Sequence, residues 1–193
     1  MATSITHVFA AAALGKAVFP EKMPARFWVL AAGCALLPDL DVIGFRLGIR
    51  YADTFGHRGF SHSLLFGLLV ALLVTLAAFR KERLFSQRWW GLVVFFFSIM
   101  VSHGMLDAMT NGGYGVAFFA PFDRTRYFFP WQPLRVSPIG IHGFLGKRGL
   151  SVIVSELIYV WLPLVAAAGG LCFLRRKNAA PSHAEEQCSP RPE

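Results

Sequence analysis

Long apolar runs constrain this chain more than any other feature of its sequence. Residues 64–79, 90–109 and 150–174 approach the roughly 17 to 25 residues that a membrane-spanning helix needs. Two shorter runs, 5–19 and 27–37, either span with help from flanking residues or form a helical pair among the others. Hydrophobic residues make up 55% of the chain, more than in an ordinary soluble domain. The sequence therefore predicts an all-α, polytopic membrane helical bundle of about five apolar segments.

Positive charge predicts the orientation of these segments. Lys and Arg cluster after the first, third and fifth apolar segments, and such clusters in short loops stay on the cytoplasmic side. The N-terminus is therefore expected outside, although the opposing loops carry nearly as many basic residues. His7 lies in the first apolar run and no basic residue precedes that run, which argues against a cleaved signal peptide. The net charge of +8 thus reflects topology, and we expect no nucleic-acid partner.

The region 110–149 differs in composition from the apolar segments. It is rich in Gly, Pro and aromatic residues, which predicts an ordered cap of turns and short strands. We expect one membrane-embedded domain over residues 1–177 that carries this cap loop. Residues 178–193 are polar and proline-rich without apolar periodicity, which predicts a disordered tail. The chain has no Cys-x-x-Cys pair, so a thiolate zinc site is not expected.

Ionisable residues of the apolar body converge on one end of the predicted bundle. Because successive segments run in opposite directions, residues near the starts of segments one, three and five meet residues near the ends of segments two and four. The residues that meet in this way are His7, Asp39, Asp41, His57, His62, His103, Asp107 and Glu156. Clustered imidazoles and carboxylates are a ligand set typical of zinc or a similar divalent ion. The sequence therefore predicts a metal site whose candidate ligands are His7, Asp39, Asp41, His57, His62, His103 and Asp107.

Local spacing refines the predicted site. His103 and Asp107 are four residues apart, so on a helix their side chains share one face. Pro38 is expected to end the preceding helix, and alternation then places Asp39 and Asp41 on the same side of an extended segment.

The loop before the third segment contains a second pair of histidines. Ser61 is positioned to cap the third helix, which leaves His62 in its first turn and His57 in the loop.

Several of these residues also have a purely structural interpretation. His7 alone is as easily a hydrogen-bonded structural residue as a ligand. Asp39 or Asp41 can cap a helix or pair with Arg46 or Arg58. Glu156 can be neutral or pair with an arginine of the cap, because an unpaired carboxylate at membrane depth costs several kcal/mol.

Two arginines are candidates for contact with an anionic substrate. Arg58 lies in the histidine loop and Arg126 lies in the cap, and either guanidinium can bind a phosphate through two parallel hydrogen bonds. The alternative is that these arginines pair with Asp53 or Asp123.

Three sequence blocks carry a resemblance to a known family. They are Pro38-Asp39-Leu40-Asp41, Gly56-His57-Arg58-Gly59-Phe60-Ser61-His62-Ser63, and Ser102-His103 followed by Asp107, Thr110 and Gly113. In these blocks the chain resembles a bacterial inner-membrane family of metal-dependent hydrolases, some of whose members are described as LexA-regulated. The resemblance extends to about Leu174 and implies an inner-membrane location and a divalent metal cofactor. That family is distantly similar to zinc-dependent phospholipase C and single-strand nuclease folds, which by analogy implies phosphodiester substrates.

Residues and resemblance together suggest metal-assisted hydrolysis at the outer membrane–water interface. Zinc or a similar ion lowers the pKa of a bound water from about 15.7 to roughly 7. Asp41 or Glu156 is the candidate proton acceptor, and Arg58 and Arg126 are candidates for holding the substrate. An aromatic cap at headgroup depth favours an amphiphilic or phosphate-containing substrate from the lipid bilayer, although interfacial aromatic belts are common without one.

Two other functional classes are compatible with the same residues. A transporter can relay protons or cations through buried carboxylates and histidines, although here these residues gather at one end and no broken-helix repeat is visible. A non-catalytic membrane scaffold can use a metal ion only to hold helix ends together. An open coordination position distinguishes a catalytic ion from a structural one.

Overall fold

The computed structural model describes residues 1–19, 21–138 and 141–179, and within them the protein is helical without a β-strand. The α-helices are α1 (Ser4–Val18), α2 (Ala25–Leu36), α3 (Leu64–Ala78), α4 (Gln87–Ala108), α5 (Ile141–Phe144), α6 (Lys147–Glu156) and α7 (Leu162–Ala179). Two 3-10 helices, Pro38–Leu47 and Phe60–His62, precede α3, and a π-helical turn, Leu157–Trp161, joins α6 to α7. The predicted all-α class is confirmed.

The helices differ in their capacity to cross a membrane. Within the described ranges, α4 and the continuous helix Lys147–Arg175 are long and apolar enough. A third span is obtained if α2 and the 3-10 helix Pro38–Leu47, which meet at a bend of 47°, form one broken span or a re-entrant loop. Helices α1 and α3 have 15 residues each and are shorter than a usual span. The structure therefore has two to three candidate spans, and the predicted count of about five is not confirmed.

The hydrophobic core lies among α1, α2, α3 and α4. Helix α3 packs along α4, while α1 packs against both α2 and α4. Phe27 of α2 stacks on Phe95 of α4 with ring centroids 4.7 Å apart, and both side chains are buried. At Gly67 of α3, an added Cβ would lie 2.9 Å from Cβ of Met100, so only glycine permits this close approach. This packing sets the separation of the helix ends that carry the polar residues.

The cap covers that polar end of the bundle. It is built from turns, with two isolated bridges, Thr110 to Leu134 and Val116 to Tyr127, where short strands were predicted. Backbone hydrogen bonds from Leu64 N to the Phe118 carbonyl and from Ala117 N to the Arg58 carbonyl join the cap to the loop before α3.

The predicted tail falls largely outside the described part of the chain. Residues 178 and 179 continue α7, and residues 180–193 lie outside the described residues.

Candidate metal centre

Four buried residues from three different elements form the centre of the polar end. They are Asp39 of the longer 3-10 helix, His62 of the shorter one, and His103 and Asp107 of α4. Their exposed fractions are 7%, 3%, 1% and 0% respectively. Because residues four apart on a helix share a face, His103 and Asp107 point into the group together, as the sequence predicts.

The ligand atoms of these four residues lie within 4.8 Å of one another. Nε2 of His103 lies 3.2 Å from Nε2 of His62 and 3.4 Å from Oδ1 of Asp39. Nε2 of His62 lies 3.8 Å from Oδ1 of Asp39 and 3.6 Å from Oδ2 of Asp107. Tetrahedral zinc with bonds of about 2.0 to 2.2 Å separates its ligand atoms by about 3.3 to 3.6 Å. Four of the six separations among these atoms, from 3.2 to 3.8 Å, are therefore close to the spacing expected of ligands to one small divalent ion.

Hydrogen bonds on the far side of each ring determine which imidazole nitrogen faces the group. Nδ1 of His103 donates to the Ala35 carbonyl at 2.8 Å. Nδ1 of His62 lies 3.0 Å from Oγ of Ser61, whose own hydrogen goes to Asp41, so Nδ1 is the donor of that bond. Each Nε2 then presents a lone pair to the other, and two lone pairs at 3.2 Å require a proton or a cation between them.

Three carboxylate oxygens of this group also lack hydrogen-bond partners. Both oxygens of Asp39 and Oδ2 of Asp107 are buried without a hydrogen-bond donor among the described residues. Nε of Arg58 lies 3.1 Å from Oδ2 of Asp107 but does not meet it with hydrogen-bond geometry. A buried, unpaired polar atom costs free energy, and a bound cation removes that cost. On this test the residues present fit a divalent metal ion.

The electrostatic environment of His62 favours positive charge. Burial lowers its pKa, but the nearby carboxylates of Asp107, Asp39 and Asp41 outweigh burial and raise the pKa of His62 to about 10. A proton and a divalent ion therefore compete for the same nitrogen.

A second group, formed by Asp41, His57 and His62, adjoins the first. Nδ1 of His57 donates to Oδ1 of Asp41 at 2.6 Å, and the backbone N of Arg58 donates to Oδ2 at 3.1 Å. The Ser61 hydroxyl is a third donor, so the Asp41 carboxylate accepts three hydrogen bonds. Carboxylates that orient ligand histidines in this way are usual around protein-bound metals. We interpret Asp41 as the residue that holds both His57 and His62 in position.

Two local expectations about these loops are wrong. Asp39 and Asp41 lie in the first turn of a 3-10 helix that begins at Pro38, not on an extended segment, so their carboxylates serve different groups. Ser63, not Ser61, caps α3 by accepting a hydrogen bond from Phe66 N at 3.1 Å. The hydroxyl of Ser61 is used instead by Asp41.

Arg58 is entirely buried and pairs with Asp107, not with Asp53 or Asp123. Its Nη2 donates to Oγ1 of Thr110 at 2.9 Å, and its Nη1 donates to a backbone carbonyl of the following turn. Its φ of +61° is unusual for a residue with a side chain, which indicates that the surrounding contacts hold it in place.

Arg126 is likewise committed to contacts within the protein. Its guanidinium donates to the carbonyls of His57 and Tyr51, both at 3.0 Å, and to that of Asp53 at 3.3 Å. These bonds join the cap to the histidine loop. Neither arginine is free to serve as the anion contact that the sequence suggested without giving up these partners.

His7 lies beside the first group but is a member of neither group. Its ring stacks on His103 with centroids 3.7 Å apart, and its Nε2 lies 3.5 Å from Oδ1 of Asp107. Neither of its ring nitrogens has a hydrogen-bond partner among the described residues. Its predicted role as a ligand stays a prediction.

Glu156 is buried at the end of α6 and lies outside both groups. Its carboxylate accepts hydrogen bonds from the backbone N of Thr3 at 2.6 Å, from the Thr3 hydroxyl, and from the Thr6 hydroxyl at 2.6 Å. The adjoining backbone N of Ala2 donates to Oδ1 of Asp107 at 2.7 Å. Glu156 thus holds the N-terminal segment against the site, and these contacts do not support its predicted role as proton acceptor.

Replacing Glu156 tests whether this residue holds the N-terminal segment in place. In Glu156→Gln the amide NH2 faces hydrogen-bond donors, so we expect the free energy of unfolding to fall by about 1 to 3 kcal/mol while bound metal stays unchanged. Chemical unfolding in detergent and metal analysis of the same preparation measure both quantities. Glu82→Gln, which removes a partly exposed ion pair with Arg88, is the control and should change stability less. Loss of metal with unchanged stability would contradict this interpretation.

Comparisons with known proteins agree with the membrane character of the chain. The family model for the YdjM inner membrane protein matches residues 1–179. The inner membrane protein YbcI of Escherichia coli (strain K12) is 38% identical over 176 residues, which cover 91% of this chain and 100% of that relative. No solved structure shows a significant match.

Proposed function

We propose that this chain, which belongs to the YdjM family of inner membrane proteins, is a membrane-bound, metal-dependent hydrolase that acts at the membrane–water interface on a phosphoester or lipid-like substrate. The multi-pass inner-membrane location follows from the family and the apolar helices. The observation that carries the proposed chemistry is the group of four ligand atoms with unpartnered carboxylate oxygens and facing imidazole nitrogens.

Zinc suits the proposed site best. Asp39, His62, His103 and Asp107 would hold the ion, since imidazole and carboxylate are ligands typical of zinc. An ion with one coordination position open to water would supply Lewis acidity and lower the pKa of that water to roughly 7.

We assign the proton acceptor to the His57–Asp41 pair. Because Nδ1 of His57 donates to Asp41, the basic nitrogen of His57 is Nε2, and the carboxylate stabilises the ring when that nitrogen takes up a proton. This assignment makes Asp41 a positioning residue and leaves Glu156 with a structural role.

The location of the site supports an interfacial substrate. The cap over the same end exposes large aromatic side chains, with Phe122 at 87%, Tyr114 at 61% and Trp131 at 60%. We place this end on the outer face, because basic residues follow α3 and lie in the last turns of α7 at the other end, and such clusters are retained inside.

A metal-pinned scaffold is the second candidate function. All four proposed ligands are buried, and a tetrahedral ion that bound all four would have no open position, as in structural zinc sites. This candidate shares the metal but predicts no reaction.

Replacing His57 with glutamine distinguishes these two functions. The wild-type protein, purified in detergent, should contain a divalent ion and hydrolyse at least one member of a panel of phosphate monoesters, phosphodiesters and phospholipids. His57→Gln should keep its metal and lose at least about 100-fold in rate, the usual contribution of a general base. Leu84→Ala, which changes an exposed residue between α3 and α4 at the other end of the bundle, is the control for indirect effects. A metal-loaded wild type that turns over no member of the panel would leave the scaffold as the better description.

A further inference from the structure

A cavity lined by both polar and apolar residues adjoins the turn that follows α4 and has no role in the proposed chemistry. It has a volume of about 210 Å³ and is lined by Asn111, Arg135, Val136, Arg148, Ser151 and Val152. Two of its six lining residues are arginines, from the cap and from the first turn of α6.

These two arginines differ from Arg58 and Arg126 in their partners. Within the described residues, neither Arg135 nor Arg148 forms an ion pair with a carboxylate, and both side chains are exposed. The arginines that the sequence favoured as anion contacts are instead bound to internal acceptors.

The backbone around the cavity is held in place by defined hydrogen bonds. Oδ1 of Asn111 accepts from Val136 N at 3.0 Å, which leaves the Asn111 NH2 group as a donor. Oγ of Ser155 accepts from Arg135 N at 3.0 Å and joins the cap to α6. The shape of the cavity is therefore determined by hydrogen bonds of the fold.

The cavity is connected to the metal centre through a single turn. Asn111 directly follows Thr110, whose hydroxyl accepts a hydrogen bond from Arg58. Arg58 in turn pairs with Asp107 of the proposed metal group. On its other side the cavity lies at the start of the apolar helix Lys147–Arg175, which places it at the boundary between water and membrane.

We propose that Arg135 and Arg148 form a binding site for a phosphate ester beside the metal centre. Each guanidinium offers a planar fork that matches phosphate oxygens, and a phosphate monoester carries about 1.5 to 2 negative charges at pH 7, which two arginines neutralise. Val136 and Val152 provide an apolar wall for a glycerol or alkyl group attached to the phosphate. The use of this site for a substrate rests on the proposed function, whereas the binding of an anion at this site does not.

Binding of two probes to the detergent-solubilised protein tests this site and identifies the source of the phosphate. The probes are inorganic phosphate and short-chain phosphatidic acid, and short-chain phosphatidylcholine is the zwitterionic reference. Calorimetry measures the binding of each. We expect Arg135→Gln and Arg148→Gln each to weaken binding about tenfold, and the double variant to abolish saturable binding. An effect on both probes assigns the site to phosphate in general, and an effect on phosphatidic acid alone assigns it to a lipid headgroup.

The matched control is Lys147→Gln, since Lys147 adjoins Arg148 but does not line the cavity. Equal weakening by Lys147→Gln, or unchanged binding in both arginine variants, would overturn the proposal. Loss of binding when the metal is removed with a chelator would also overturn it, because the anion would then be bound at the metal. Metal content and hydrolysis in the same preparations report on the proposed function separately.

Discussion

Replacing His103 with alanine is expected to remove the bound metal ion. His103 supplies one of four ligand atoms, and its Nδ1 is held by the Ala35 carbonyl from a different helix, so no other imidazole of the described residues has the same position. We expect metal affinity to fall by more than about 100-fold, above the 10- to 100-fold loss usual for residues that only support a ligand. Metal analysis after equilibrium dialysis against a competing chelator measures this change.

Two variants control this result. Ser102→Ala changes the neighbouring residue, whose hydroxyl donates to the Ile99 carbonyl of its own helix, and it should bind metal like the wild type. Asp41→Asn changes the support of His57 and His62 without removing a proposed ligand, and it should cost about 10- to 100-fold. If His103→Ala binds metal as tightly as Ser102→Ala, the assignment of the metal group is wrong.

Replacing Asp107 with asparagine is expected to be strongly destabilising even without metal. The substitution leaves the fully buried guanidinium of Arg58 without its opposite charge. Removing one partner of a buried ion pair costs about 3 to 5 kcal/mol, because the remaining charge stays desolvated. Chemical unfolding in detergent, with chelator present throughout, measures the loss independently of the bound ion.

A double variant identifies the cause of that loss. Arg58→Met combined with Asp107→Asn removes both charges, so we expect it to cost less than the sum of the two single variants by about 0.5 to 3 kcal/mol. The exposed pair of Arg50 and Asp53 serves as reference, and Asp53→Asn should change stability little. Strict additivity of the buried pair would show that Asp107 stabilises the protein in some other way.

The helices were predictable because their signal is local. Apolar runs at 64–79 and 90–109 became α3 (Leu64–Ala78) and α4 (Gln87–Ala108) to within a few residues. The short runs also became helices, but their capacity to span depends on bends and neighbours, as at the 47° break after α2. A count of membrane crossings therefore could not be read from hydrophobic length alone.

The residues that meet at the site were easier to predict than the role of each. Antiparallel succession of the segments brings the ionisable residues to one end, and the four-residue spacing of His103 and Asp107 places them on one face. The partners of Glu156 and Arg58 were not predictable, because Thr3 and Asp107 lie far away in the chain. Arg135 and Arg148 were missed because only the folded cap and α6 bring them to one cavity.

The sequence by itself thus determined a helical membrane protein with a cluster of histidines and carboxylates at one end. Only the tertiary structure decided which nitrogen of each imidazole faces the cluster, since that depends on Ala35 and Ser61 behind the rings. It also decided that Asp39 faces the proposed ion while Asp41 supports His57. The physical reason is that periodicity and chain direction are properties of each segment. Hydrogen-bond partners depend instead on distances between residues that are remote in sequence.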